Sequence, residues 1–320
     1  MPSPSTVLTT LSRELGLYYE ARLSELRADY IADMVFPVKE VRLQSATFKK
    51  IPIEEILNVP SELRRAPSSA YWRSTFQFTE DTYQTYDRGN EDPIDDSEQA
   101  AYSDFIDLAQ EATQRVLHKI LQDKEMRVAA ALMDVATYTG TGSLNQAVTA
   151  STWNVTSSKP ITDVRLAADK MFANVGIYPN TLVISRPVFR ALQVHPDVIN
   201  AITSAGAGDQ ARVRDITRQQ MAAVFDVDSV VVGGGAKRSS TISHIWGNHA
   251  MVCQVATSGD MREPCIGRQF HWAADGSSSS GTVEVYREEN TRSNVVRARM
   301  HSGEKRIHTE MACMVPNVLP

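Results

Sequence analysis

The sequence has few cysteines, and they are far apart. There are three, Cys253, Cys265 and Cys313, an odd number whose spacing indicates neither a disulfide framework nor a zinc site. The chain also lacks the run of about 18 apolar residues that would span a bilayer. Its first residues lack the basic-then-apolar pattern of a signal peptide. These absences favour a reduced, soluble protein that is cytosolic at synthesis and has no membrane partner.

Positive charge is not in excess. The formal net charge is −5, with 33 Lys and Arg against 38 Asp and Glu. A negative chain is a poor candidate for coating nucleic acid by bulk electrostatics. We therefore exclude that class of protein.

Residue patterns that carry chemistry are missing as well. The seven histidines show no metal-ligand spacing; His244 and His249 come closest to a pair, and we expect both to make structural hydrogen bonds. Residues 233–237 lack the register of a phosphate-binding loop, and the serines at 277–280 do not form a nucleophile-elbow motif. We predict no catalytic residue, no cofactor, no metal site and no enzyme activity.

An acidic group leaves two interpretations open. Glu91, Asp92, Asp95 and Asp96 lie close enough in sequence to hold calcium. The favoured alternative is a turn over 88–93 followed by negative charge at the N-terminus of a helix, where the helix dipole stabilises it.

Apolar content is sufficient for a large core. It reaches 42 % of 320 residues, which is enough for about two domains. From residue 160 onward, helical periods alternate with short apolar runs. A helix is predicted over 161–175 and a buried strand over 181–185. Late strands over 282–287 and 294–300 are expected to return to the region before residue 160.

Aromatic residues alternate with polar ones over 71–78 and again over 83–86. This alternation predicts a β-hairpin with an acidic tip at Glu80 and Asp81. Arginine and aromatic side chains suit base stacking on single strands, or protein contacts, where both are enriched. The acidic residues favour protein contacts. The predicted intersubunit contact residues are Tyr71, Trp72, Arg73, Phe76, Phe78, Tyr83 and Tyr86.

After Pro93, no Pro or Gly occurs before Gly140. The periodicity of this stretch predicts one amphipathic helix over 96–138, starting near Asp96 with Gln99 in a capping box. Such a helix would reach roughly 60 Å, about twice the diameter of a small domain. Neither the hairpin nor this helix can bury itself within one chain. Both indicate a building block that completes its packing on neighbouring copies.

Taken in order, these segments resemble the major capsid protein family of tailed bacteriophages, which has the Hong Kong 97-type coat fold. The motifs that carry the resemblance are IADMVFPV at 31–38, IYPNTLVISRPVFRAL at 177–192 and VEVYREE at 283–289. The resemblance implies an α+β fold whose parts are an N-terminal arm (1–60), an extended β-hairpin loop (61–95), a spine helix and peripheral domain (96–160, completed by 275–308) and an axial domain (161–274, completed by 309–320).

The family resemblance also implies a function. The chain would form hexamers and pentamers that join into an icosahedral shell around packaged double-stranded DNA, which it would contact without sequence specificity. Further partners would be portal, decoration and separate scaffolding proteins. The protein would lie in the virion, and in the host cytoplasm during assembly. The hairpin of one subunit would lie over the next subunit's spine helix and peripheral strands.

The sequence departs from the family pattern at two places. Little precedes the 31–38 motif, so a fused scaffolding segment is not expected. No lysine occurs between Lys50 and Lys119, so the extended loop has no amine for an isopeptide cross-link. Two rival interpretations stay open: an encapsulin-like nanocompartment shell, which shares the fold, and an unrelated α/β enzyme.

Overall fold

The computed structural model describes residues 30–50, 52, 57, 59, 64–65, 67–73, 77–102, 107–139, 144–204 and 216–320. Within these ranges, helices and strands mix in an α+β arrangement around two main sheets. This confirms the predicted class at that level. No helix among the described residues is long and apolar enough to cross a membrane.

A five-stranded sheet is organised around one long strand. Strand β12 pairs on one side with β4, and on the other with β11 along its first half and β10 along its second half. Strand β1 continues the sheet by pairing in parallel with β10. The members are β1 (Val38–Val41), β4 (Tyr86–Asp95), β10 (Gly267–Trp272), β11 (Thr282–Glu288) and β12 (Ser293–Arg306).

The sheet packs one face against a long helix, α3 (Leu108–Leu132). Alternate residues of β12, Val296, Ala298 and Met300, are buried together with Val116 and other side chains of the helix. Because side chains alternate across a strand, the opposite face of β12 carries Arg297, Arg299 and His301. The late strands therefore return to the long helix, as the sequence predicts.

The unbroken helix predicted over 96–138 is wrong. The structure has three helices there: α2 (Asp96–Tyr102), α3, and α4 (Val135–Thr139). Asp107 has extended backbone angles, and its carboxylate accepts hydrogen bonds from the N–H groups of Ala109 and Gln110, which starts a new helix. At the start of α4 the Asp134 carboxylate accepts from the N–H of Ala136 at 3.2 Å and from the hydroxyl of Thr137. Helix α3, with 25 residues, is about 37 Å long.

A four-stranded sheet forms the second unit. Its strands follow the order β13, β9, β5, β6, where β5 is Thr181–Ser185, β6 is Ser229–Gly233, β9 is Ala250–Cys253 and β13 is Ala312–Val315. Around it lie α5 (Pro160–Val175), α6 (Arg186–Gln193), α7 (Pro196–Ser204) and α8 (Arg218–Phe225). The helix and strand predicted over 161–175 and 181–185 are confirmed.

Smaller elements complete the described fold. A short helix, α1 (Ala32–Val35), lies inside the 31–38 motif, and β7 (Ala236–Arg238) pairs with β8 (Ile242–His244) in an exposed hairpin. Two single 3-10 turns cover Ala273–Asp275 and Thr309–Met311.

One buried carboxylate joins α3 to both units. Glu125 accepts hydrogen bonds from the N–H groups of Ile31 and Ala32, at 2.8 to 3.1 Å, and from the indole N–H of Trp246 at 2.5 Å. Burial raises the pKa of this carboxyl, although the three donors act against the rise. Trp246 belongs to the core of the four-stranded unit, so α3 is tied to that unit as well as to the five-stranded sheet.

The hairpin predicted over 71–86 is wrong in its pairing. Residues 79–84 form β3 (Thr79–Gln84), which pairs in antiparallel fashion with β2 (Ser45–Lys50). Glu80 and Asp81 therefore lie in a strand and not at a tip. Residues 86–95, including the turn predicted over 88–93, form β4 and pair with β12. The strands of the extended loop come from segments separated by residues 51–78, which no local pattern could indicate.

Candidate assembly site

The candidate site is built on the two-stranded ribbon of β2 and β3. Its register runs from Ser45 opposite Gln84 to Lys50 opposite Thr79. Within the described part of the chain no further strand pairs with the ribbon. Residues 51–78 connect its two strands at the end farther from β4. The described residues of this connecting segment are therefore the ones to examine for a contact with another molecule.

Three described residues of that connecting segment are exposed aromatic residues. Tyr71 is 70 % exposed, Trp72 64 % and Phe78 53 %, although aromatic side chains of this size normally bury most of their area. The Arg65 guanidinium lies 4.9 Å from the centroid of the Tyr71 ring, and the Lys49 ammonium lies 5.7 Å from that of Phe78. We call residues 64–78 the tip.

The tip carries positive charge only. Residues 63–79 contain Arg64, Arg65 and Arg73 but no acidic residue. Arg64, Arg65 and Arg73 are exposed. The combination of exposed aromatic rings and exposed arginines is typical of protein contact surfaces, whose most important residues are enriched in Trp, Tyr and Arg.

The seven predicted contact residues fall into three groups. Tyr71, Trp72, Arg73 and Phe78 lie on the exposed tip, and Phe76 lies outside the described residues. The remaining two, Tyr83 and Tyr86, lie nearer the five-stranded sheet.

Tyr83 packs within its own chain, unlike Tyr86. Its ring stacks on Phe270 at a centroid distance of 4.4 Å, and its hydroxyl donates to the carbonyl of Leu43 at 3.1 Å. Burial raises the pKa of this tyrosine. Tyr86 is half exposed; its hydroxyl donates to Gln84 at 3.0 Å, and the Arg88 guanidinium lies 5.5 Å from its ring.

A charged surface lies on the face of the five-stranded sheet opposite α3. Arg297 and Arg299 both bind the carboxylate of Glu284, and Arg299 also binds Asp275 at 2.8 Å. Burial acts to raise the pKa of Glu284, but hydrogen bonds and charge from the two arginines outweigh it, so the pKa is lowered. Arg297 additionally lies 3.5 Å from Glu91 across the strand pair.

Negative charge exceeds positive charge on this surface, which we call the acidic face. It comprises four carboxylates and two guanidinium groups, an excess of two negative charges when its histidine is neutral; the residues are Asp87, Glu91, Asp275, Glu284, Arg297, Arg299 and His301. Glu91 and Asp87 are exposed at its edge, whereas Glu284 and His301 are buried.

One group on the acidic face has side chains that could ligate a metal. Ligand atoms of Asp87, Asp275 and His301 lie within 4.8 Å of one another. Arg299 already supplies a positive charge at 2.8 Å from Asp275, and a bound cation would have to compete with it. The geometry therefore fits an ion-pair network better than a metal site.

The other sequence candidates for metal binding are separated by their partners. Asp92 pairs with Arg115 at 2.9 Å, and Asp96 pairs with Arg287 at 2.5 Å. His249 accepts a hydrogen bond from the N–H of Asn317 at 3.0 Å, as expected of a structural histidine, and burial lowers its pKa.

A serine–histidine pair that sequence spacing did not indicate proves to be structural. The Ser158 hydroxyl oxygen lies 2.8 Å from Nε2 of His195. The N–H of Asp197 donates to Nδ1 of the same ring at 3.2 Å, so Nδ1 is the acceptor and Nε2 carries the proton. A protonated Nε2 cannot remove the serine proton. Both side chains are also buried, so this pair does not form a hydrolytic site.

No protein-family model matches the chain, but two curated relatives do. A protein named major capsid protein from Burkholderia phage BcepMu is 23 % identical over 244 residues, 74 % of this chain and 75 % of the relative. Another of the same name from Pseudomonas phage JBD67 is 23 % identical over 261 residues, 79 % of this chain and 80 % of the relative.

Solved structures share the fold over almost the whole chain. A phage-related protein from Bordetella bronchiseptica RB50 matches with a TM-score of 0.71 and 20 % identity, covering 97 % of this chain and 98 % of its own. A chain of the mature capsid of bacteriophage PhiM1 gives 0.53 and 14 %, covering 88 % and 86 %. A virus-like particle from Pyrococcus furiosus gives 0.56 and 10 %, covering 94 % and 97 %.

These comparisons define the class of protein. The chain has the fold of phage capsid proteins, and the curated proteins that it resembles in sequence are phage major capsid proteins. The resemblance to phage major capsid proteins that the sequence motifs predicted is confirmed.

Proposed function

We propose that the chain is the coat protein of a tailed bacteriophage, has the Hong Kong 97-type fold and assembles into hexamers and pentamers of an icosahedral shell that holds double-stranded DNA. The observation that carries the proposal is the match over nearly the whole chain to capsid folds, combined with a projecting tip that its own subunit leaves exposed. The role is structural and not enzymatic, and the protein lies in the virion.

The parts of the fold correspond to those that the family resemblance implies. Helix α3 is the spine helix, the five-stranded sheet is the peripheral domain, and the four-stranded sheet with its helices is the axial domain. Strand β10 pairs inside the five-stranded sheet, so the peripheral domain starts at about residue 267 in this part of the chain. The extended loop corresponds to residues 45–84.

Assembly occurs through the tip of one subunit and the acidic face of the next. Three arginines on the tip meet a surface with two excess negative charges, and the exposed rings supply the apolar area that a stable contact needs. Tip and face are different surfaces, so the contact is heterologous and closes into a ring when the rotation between subunits permits. Hexamers and pentamers are two such closures.

The experiment replaces Phe78 by Asp, which places a negative charge among the tip arginines and opposite the acidic face. We expect a soluble, folded subunit that forms no shells, as judged by electron microscopy and size-exclusion chromatography. Val194→Asp is the matched control, because Val194 is also an exposed apolar residue but lies at the C-terminal end of α6, outside both surfaces. Normal shells from the Phe78 variant would overturn the assembly site.

A shell around protein cargo is the second candidate, favoured by the fold shared with the Pyrococcus furiosus virus-like particle. The two functions differ in what the particle contains. Purified particles should hold nuclease-protected double-stranded DNA when they assemble with their own packaging components. Particles that contain only protein cargo under those conditions would favour the second candidate.

A further inference from the structure

We propose that three residues of the five-stranded sheet, Phe270, Gly303 and Lys305, form a seat that fixes the direction in which the ribbon leaves the sheet. The tip is then held in place before two subunits meet. This inference rests on the proposed function, because it assigns a role to the ribbon in assembly. It goes beyond it by naming residues that position the tip without touching the neighbouring subunit.

The glycine of the seat lets the chain cross close above β12. At position 303 a Cβ atom would overlap the carbonyl oxygen of Gln84, would lie 3.0 Å from the carbonyl carbon, and would lie 3.2 Å from Cα of Thr85. The obstacle is backbone on both sides, so no flexible side chain can move away. Only glycine at position 303 leaves room for the backbone of Gln84 and Thr85, which connects β3 to β4, to lie this close to β12.

An aromatic stack holds the ribbon beside that crossing. Phe270 lies directly opposite Gly303 in the β10–β12 register, so both point to the same face of the sheet. The ring of Tyr83 stacks on Phe270 with an interplanar angle of 16°, and Phe48 of β2 lies 5.9 Å from it. Both strands of the ribbon therefore contact one residue of the seat.

A charged contact holds the ribbon on the other side. Lys305 is two residues beyond Gly303 and so lies on the same face; its ammonium group lies 2.8 Å from the Asp81 carboxylate. Lys50 of β2 lies 3.9 Å from the same carboxylate and donates to the carbonyl of Ile307 at 3.2 Å. Burial acts to raise the pKa of Asp81, but the hydrogen bond from Lys305 and nearby groups outweigh it, and the pKa is lowered.

Hydrogen bonds also hold the chain where it passes over β12 between β3 and β4. Thr85, which links β3 to β4, is buried, and both its N–H and its hydroxyl donate to the carbonyl of Gln44, at 2.8 and 3.0 Å. The half-buried ribbon residues all lie on the side that faces the sheet: Ala46, Phe48, Lys50, Asp81 and Tyr83. The base of the ribbon is thus packed against the five-stranded sheet.

Fixing the ribbon matters because association costs the entropy of whatever must be ordered. A segment held in its binding position before contact loses less freedom on binding, and affinity rises without any new contact. A seat therefore contributes to assembly through the position of the tip, and a loss of the seat should weaken assembly much more than it weakens the fold of the subunit.

The experiment substitutes Gly303→Ala, with Gly259→Ala as the matched control, because a Cβ at position 259 would meet nothing within 4 Å. Tip position is read in dilute, unassembled subunits by the spin–spin distance between labels at Gln77→Cys and Glu289→Cys; the three native cysteines are buried. We expect a shifted or broadened distance in the Gly303 variant, and assembly weakened at least about tenfold, with the control unchanged in both.

A second variant, at Lys305, keeps the proposal testable if the Gly303→Ala subunit does not fold. Lys305→Ala should broaden the same distance and slow assembly, and Lys305→Arg should restore both, because it keeps the charge that Asp81 binds. An unchanged distance in Gly303→Ala and Lys305→Ala overturns the seat. A changed distance with normal assembly also overturns it. Normal shells from Phe78→Asp would instead overturn the tip as the assembly site, a failure of the unsubstituted chain to form shells would overturn the proposed function, and the distance measurement depends on neither result.

Discussion

The four-stranded sheet and the ribbon use their side chains in opposite ways. All five residues of β5 are buried, and helices and neighbouring strands of the same chain cover them. In β2 and β3 the burial alternates, so that one face lies on the seat and the other is open. The first unit completes its core alone, whereas the ribbon leaves its most apolar residues at the tip, where the same subunit does not cover them.

This difference separates the residues that stabilise the subunit from those that join subunits. A buried side chain of β5 contributes to the free energy of unfolding of a single chain. An exposed aromatic residue of the tip contributes little until a second copy covers it. Truncation of a buried β5 side chain should therefore lower the free energy of unfolding of the single chain, whereas truncation of an exposed tip residue should leave it almost unchanged.

The largest expected effect is on the core. Leu182→Ala in β5 removes a fully buried side chain and should lower the free energy of unfolding by about 2–5 kcal/mol. Phe78→Ala at the tip end of the ribbon should change it by less than about 0.5 kcal/mol in the unassembled subunit. Urea unfolding of both variants checks the contrast. Equal losses would show that the tip already packs on its own subunit.

An intermediate effect is expected at Glu125, which ties α3 to both units. Glu125→Gln removes one acceptor oxygen and brings an N–H₂ group toward buried donors, so at least one donor among Ile31, Ala32 and Trp246 loses its partner. We expect a loss of about 1–3 kcal/mol in unfolding free energy. Glu111→Gln, exposed on the same helix, is the control and should have almost no effect. Equal stability of the two variants would contradict the role of Glu125.

The smallest effect concerns the charge that holds the ribbon. The pKa of Asp81 is lowered from its ordinary value of 3.8, so its contribution to stability is present above that pH and is lost as the pH falls through the lowered pKa. Below pH 3.8 the amides of β3 should exchange with solvent faster relative to those of β5. An isolated ion pair contributes less than about 1 kcal/mol. Asp81→Asn should already show the fast exchange at neutral pH, and an unchanged exchange rate would count against the contact.

Local patterns predicted the parts of the chain whose structure depends on near neighbours. The apolar run at 181–185 is a buried strand, and the periodic segment at 161–175 is a helix with a proline in its first turn. The long helix was overestimated because its periodicity continues across Asp107 and Asp134. At these two positions a carboxylate caps a new helix, and an aspartate within a periodic segment does not by itself reveal a cap.

For the proposed assembly site, sequence patterns predicted exposed aromatic residues but not the pairing of the strands that carry them. Aromatic and arginine residues over 71–78 indicated a contact surface, and the described members of that set are exposed. The alternation near Tyr83 was taken for the second strand of a local hairpin, but β3 pairs with β2, on the far side of residues 51–78. Tyr83 consequently packs on Phe270 in its own chain.

The sequence by itself determined the class of protein, the α/β pattern after residue 160 and the composition of the tip, because each depends on residue types and near-neighbour spacing. Only the tertiary structure decided how the ribbon pairs, which face of the five-stranded sheet is acidic, and why position 303 must be glycine. Those features depend on contacts between segments up to about 220 residues apart. Such contacts form only when the whole chain folds, and they are not visible in local sequence.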